Sequence, residues 1–328
     1  MRLAAIMLAG TLAIAAAAGS ASAAPRVASG NVPQARALPA CAGAGAYWPT
    51  MTLAVRGSTA WVACKEQERI VRISLPAGRR TATVRLPGAV IAVAIGYGSV
   101  WALDDRSTLY RIDPRSARVK KQIALGTAAA YNIWTGAGAV WVADDQGAQV
   151  VRVSPSANKV IARIPVGDGP ADMVFAGKSA WVITHRDSTL FRIDVATNDV
   201  SRLATVAGGD AAAERLALLG GSLWITGRGM PLLEIDPDTG ATRRSVDIHG
   251  TGIDVVAAAK ALWVPVRTVA VDRTGFPTMV AVRRVTTLGE VTTVATATGR
   301  VDVHGLASGL GSVWLADNTG GFLYRLPA

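Results

Sequence analysis

The chain has 328 residues, half of them hydrophobic and 17% charged, with 34 Lys and Arg against 23 Asp and Glu. That balance excludes a disordered polymer, which needs low hydrophobicity and high charge. The excess of positive charge comes from scattered arginines, and no basic run is interleaved with aromatics, so a nucleic-acid partner is not expected.

In chain order, the first element is an address. Met1-Arg2 precede sixteen uncharged residues, 3–18, and Ala21-Ser22-Ala23 supplies a small-x-small cleavage site. The run falls short of the roughly 20 residues that a membrane-spanning helix needs. We read residues 1–23 as a signal peptide and 24–328 as the mature chain, exported to the periplasm or secreted and not membrane-spanning. In that setting the basic charge would meet an envelope protein, a glycan, or a small anionic or aromatic ligand. A monomer is expected.

From Trp61 onward the chain keeps time. The pattern small-small-apolar-Trp-apolar recurs at Trp61, Trp101, Trp141, Trp181, Trp224, Trp263 and Trp314, with steps of 40, 40, 40, 43, 39 and 51. Ten or eleven residues later stand Arg72, Arg111, Arg152, Arg192 and Arg325, with Glu234 in the fifth repeat. Between these markers the chain alternates apolar and polar residues and is rich in β-branched ones, as at 140–143, 160–164 and 190–193. Turn formers such as Asp113-Pro114 and Asp236-Pro237-Asp238 separate the runs. Four short strands per period of about 40 residues is a propeller blade. The fold class is therefore all-β, a single seven-bladed β-propeller with blades of four antiparallel strands. After Trp314 the chain ends before a fourth strand, and residues about 31–39 resemble the outer strand and turn at 81–87. The expectation is that this N-terminal strand completes the last blade and closes the ring.

Repeats of the form GSVWVADD…YRIDP, carried by residues such as 99–114 and 138–145, resemble those of YncE-like (YVTN-type) propellers and of the streptogramin (virginiamycin B) lyase-like superfamily. The likeness covers residues 31–328. For chemistry it implies a C–O lyase that opens a cyclic depsipeptide ester with Mg²⁺ support. The segment 303–306 resembles one catalytic His segment of that superfamily, and 314–317 its acid segment. His304 would then be catalytic with Asp317, which stands where the superfamily has Glu. The second His segment has Gly252-Ile253-Asp254-Val255 instead. A binding or interaction scaffold without cofactor is thus the leading reading, and a metal-assisted lyase or hydrolase the alternative.

In a propeller, the starts of the inner strands and the loops after the Trp strands share one face, where convergent polar groups would form a ligand site. The candidates there are Tyr131, Asn132, Asp172, His185, Glu214, Arg215, Arg228, Asp254, Arg267 and Arg273. Trp48 and Trp134 fall outside the Trp register and could stack on a ligand. The pairs Asp104/Asp105 and Asp144/Asp145 read as turn acceptors rather than cation ligands. His185 and His304 stand on blades that are not neighbours, His249 has no evident partner, and no metal set can be assigned. The 51-residue step leaves an insertion at 267–279 that could overhang this face, with Arg267, Arg273 and Phe276 as contacts. Cys41 and Cys64, both expected at this face of an exported protein, predict a disulfide.

Overall fold

The computed structural model describes residues 27–28, 36–41, 52–268, 279–298, 303–318 and 321–328, with backbone alone at 27–28, 36–39, 279, 297–298 and 304. Apart from a 3-10 turn at Lys65–Gln67, every regular element in it is a β-strand, and the strands form seven antiparallel sheets. The inner strand of each sheet touches the inner strands of the two neighbouring sheets, and the seventh returns to the first. This is a closed seven-bladed propeller. Blades 1 to 5 cover residues 53–85, 90–124, 130–165, 170–205 and 212–246, each with four strands in chain order from the axis outward.

The tryptophan register locates the second strand of every blade. Trp61, Trp101, Trp141, Trp224 and Trp314 are almost wholly buried between blades, with Trp181 and Trp263 close behind. A buried indole N–H needs an acceptor. Trp101, Trp141, Trp224 and Trp314 find one five residues back, at the carbonyls of Gly96, Gly136, Leu219 and Gly309, 3.0–3.2 Å away. Gly136 has a second task. A Cβ there would lie 2.4 Å from the Phe175 ring of the next blade, so only glycine admits that ring.

The Arg marker is the clamp between blades. Register places Arg72, Arg111, Arg152 and Arg325 directly across from Trp61, Trp101, Trp141 and Trp314. Each guanidinium stacks over its indole at 5.0–5.8 Å. Three of them then reach the next blade's turn between third and outer strands: Arg72 to Pro114 O, Arg111 to Pro155 O and Arg152 to Val195 O, at 2.7–2.8 Å. In blade 5 Glu234 stands opposite Trp224 and binds Arg244 of the outer strand at 2.5 Å. Arg244 supplies the missing guanidinium, stacking on Trp224 at 5.5 Å and donating to Thr287 O of blade 6.

The ring closes through the N-terminal segment. Arg36–Pro39 pairs antiparallel with Phe322–Pro327 and becomes the outer strand of blade 7. The following Cys41 is joined to Cys64 of blade 1, with 5.7 Å between Cα atoms. Blade 6 departs from the four-strand expectation. Val27–Ala28 adds a further strand outside Val291–Thr298, covering an edge that would otherwise offer unpaired backbone groups. Its inner strand is also broken, into Thr251–Gly252 and Val256–Ala258, with Asp254 in the gap. His249, expected to have no partner, has its ring 3.1 Å from the exposed Asp247, two residues away, because the loop folds back on itself.

Candidate functional site

The inner strands enclose a cavity of about 800 Å³ along the propeller axis, lined by residues from all the blades. A β-bulge interrupts the start of the inner strand in blades 2, 3, 4, 5 and 7. Bulges re-aim side chains, and here they sit at the upper mouth of the channel. The ninth residue before each register tryptophan is Thr52, Ala92, Asn132, Asp172, Arg215, Asp254 and Gly305, and all but Ala92, which Ile91 replaces in the lining, stand at this level. Apolar or weakly polar residues thus line the arc of blades 7, 1 and 2, and strongly polar ones the arc of blades 3 to 6.

That polar arc is a connected network. Asn132, Asp172 and Asp254 each accept from the amide of the next residue, at 2.8–2.9 Å. Asp172 also takes the indole N–H of Trp134 from blade 3 at 2.9 Å and the amide of Leu216 from blade 5 at 2.9 Å. Arg215 is fixed by donation to Glu214 O and lies 3.7 Å from Asp254, both side chains being largely buried. Burial pushes the Asp172 carboxyl up to about 6, although Arg215 and the Leu216 amide pull it down. For Arg215, burial would lower the pKa, but Asp254, Tyr131 and Asp172 raise it, so its charge is secure. The exposed Tyr131 stands at the rim, and Lys65 lines the opposite wall with no ion partner among the described residues.

The other predicted residues fall elsewhere. His185 sits on the upper surface between blades 3 and 4, its ring 3.7 Å from Asp145, which Arg186 bridges to Asp168. Arg228 is exposed at the end of Ser222–Arg228, and Arg267 ends Ala261–Arg267; neither lines the channel. Asp317 is fully buried outside the channel lining, and burial and this neighbouring carboxylate raise the pKa of Tyr324. The same arrangement occurs in blade 2, where Asp104 accepts from the Tyr110 hydroxyl and from the Arg106 and Thr108 amides. Burial and Asp104 together push Tyr110 up to about 12. Asp144 likewise holds the Ala129 and Gly147 amides, and Asp105 the Ala89 amide, which is the expected turn role. His304 lies in Val303–Gly309 with its side chain outside the described residues, as are Trp48, Arg273, Phe276 and the rest of the insertion at 269–278. Among the described residues no group of three or more His, Cys, Asp or Glu could hold a metal ion.

Two features of the site escaped the sequence reading. The convergence of Asp172, Arg215 and Asp254 is one; their shared place nine residues before successive tryptophans was the available signal. The bond from Trp134 to Asp172 is the other, and the break in tryptophan register had marked that residue.

Comparison with known proteins bears on the fold. No protein-family pattern matches the chain, and no curated protein sequence does. Among solved structures, virginiamycin B lyase from Staphylococcus aureus superimposes with a TM-score of 0.73 at 16% identity, covering 90% of this chain and 99% of that one. A catalytically inactive variant of that lyase with Quinupristin gives 0.72 at 15% identity, covering 90% and 99%. BamB from Moraxella catarrhalis gives 0.58 at 13% identity, covering 85% and 82%. The chain therefore has the propeller fold seen in virginiamycin B lyase.

Proposed function

We propose that this protein is exported and serves as a ligand-binding propeller of the cell envelope, with its site at the upper mouth of the channel over blades 3 to 6. The observation that carries the reading is the Asp172–Arg215–Asp254 cluster. Charged groups are expensive to bury, and structural needs alone would favour apolar side chains at this level. Here they converge beside an indole and an exposed phenol at a concave mouth, the usual make-up of a small-ligand site. Export is supported by the residue pattern of 1–23 and is compatible with the Cys41–Cys64 disulfide. The lyase reading rests on His304 and Asp317. Asp317 is buried away from the channel, so binding stands ahead of elimination.

The test is a thermal-shift screen of the mature chain against envelope glycan fragments, short peptides, aromatic carboxylates and Quinupristin, with and without Mg²⁺. A ligand present at about 100 times its Kd adds roughly 2.7 kcal/mol to stability. The reading requires that a hit lose most of its shift in Tyr131→Ala. A hit unaffected by that change places the site elsewhere, and Mg²⁺-dependent loss of Quinupristin would make the protein an enzyme.

A further inference from the structure

The arginines are scattered along the chain, but carboxylates are not, so most of the net positive charge of the mature chain falls in one stretch. Residues 24–88 contain nine Lys or Arg and two Glu, whereas the rest of the chain is close to balance with 24 against 21. Within that stretch, register sets Arg69 of the third strand of blade 1 directly opposite Arg85 of its outer strand, and Ile73 opposite Arg80. Like charges facing each other across a ladder destabilise it. Arg79, Arg80 and Arg85 are all exposed along the outer strand Arg79–Arg85, alternating with the exposed hydroxyls of Thr81 and Thr83. Arg69 is part-buried, and its Nε has no hydrogen-bond partner among the described residues. Among the described residues none of the four arginines forms an ion pair, although arginines elsewhere in the ring do. Glu66 and Glu68 are exposed and bridge to none of them. The flanking segments 29–35 and 42–51 contain no carboxylate that could neutralise the group. Burial, Arg80 and Arg85 together lower the pKa of Arg69, as expected of a cation held among cations.

We propose that this outer edge of blade 1 is a docking surface for an extended phosphate-bearing polymer. The seven residues of strand from Arg79 to Arg85 span about 20 Å, enough to meet successive anions of one chain. Guanidinium groups pair bidentately with phosphate, and both partners keep their charge at any pH the envelope meets, whereas a carboxylate polymer loses its charge in acid. An edge strand needs some charge to block sheet-to-sheet pairing. The outer strands of blades 2 and 3 also carry lysines, but there Lys120 pairs with Asp113, Lys159 faces Ser154, and Lys121 faces an Arg111 that is held by Pro155 O and Asn158, whereas in blade 1 Arg85 faces an Arg69 whose Nε has no acceptor among the described residues. The surface is separate from the channel mouth, and its test is independent of that site.

The experiment measures binding of the mature chain to long-chain inorganic polyphosphate across a salt series, with orthophosphate and phosphatidylglycerol vesicles as parallel probes. Arg80→Gln/Arg85→Gln should weaken polyphosphate binding about tenfold at low salt and flatten its salt dependence. Lys121→Gln/Lys159→Gln removes the same charge from the outer strands of blades 2 and 3 and should change binding less than twofold. A readout independent of ligand accompanies this: Arg85→Gln should raise the melting temperature by about 1–2 °C, since it relieves a like-charge pair. Equal weakening by both double variants would overturn the proposal in favour of net charge alone. Preferential binding to vesicles, or equal protection by orthophosphate, would overturn the extended polymer.

Discussion

The two ends of this propeller are built on opposite principles. At the lower end one device repeats: a guanidinium stacks on the blade's tryptophan and binds the next blade's turn, with Arg72, Arg111 and Arg152 as three copies. Where the residue changes, as at Glu234, the device is rebuilt with Arg244 from the neighbouring strand. At the channel mouth the side chains change from blade to blade. The seven equivalent mouth positions hold six different residue types, and the ionised ones gather on one arc. Repetition marks what every blade needs in order to pack, and its absence marks what the molecule needs once.

The sharpest way to break this contrast is at the upper end's single covalent link. Replacing Cys41 and Cys64 by Ala frees a 23-residue separation and should cost about 3 kcal/mol, read from the denaturant midpoint, without altering the lower-end clamps. Next in size is the clamp itself. Arg152→Ala removes a stack and charged hydrogen bonds to Val195 O and Asn198, so a loss of about 2–3 kcal/mol is expected, with channel binding unchanged. In blade 5, Glu234→Arg combined with Arg244→Ala should restore the ordinary clamp and remain within about 1 kcal/mol of the parent, whereas Arg244→Ala alone leaves Glu234 unpaired and costs more. If the double variant is the weaker of the two, the equivalence of the clamps is wrong.

The mouth predicts a pH effect of the opposite kind. Asp172 titrates near 6 in the folded chain and near 3.9 when unfolded, so between those values the folded state holds an extra proton. Stability should therefore fall as pH rises through that window, by on the order of 2 kcal/mol, and level off above it. Asp172→Asn should flatten that slope, and Arg215→Met should move its midpoint upward, because the guanidinium that favours the carboxylate is gone. Urea melts at closely spaced pH values would show both. The smallest effect is at the rim: Tyr131→Ala should change stability by less than about 0.5 kcal/mol, since the phenol is exposed, while weakening any mouth ligand.

By itself the sequence determined the period, the strand type, the number of blades, closure by the N-terminal strand and the pairing of the two cysteines. These follow from local alternation, from turn chemistry and from counting residues between tryptophans, all of which act within one blade or at its ends. Only the tertiary structure decided what crosses from blade to blade. That Arg152 reaches Val195, that Val27–Ala28 reinforces blade 6, and that Asp172, Arg215 and Asp254 meet over the channel all depend on how each sheet is rotated against the next. Within blade 7, Asp317 lies buried beside Tyr324 of the adjacent strand, although its sequence position matched the loop residues of the upper face. A bulge of one residue at the start of a strand turns a side chain from the sheet toward the axis, and no pattern of hydrophobicity records that turn.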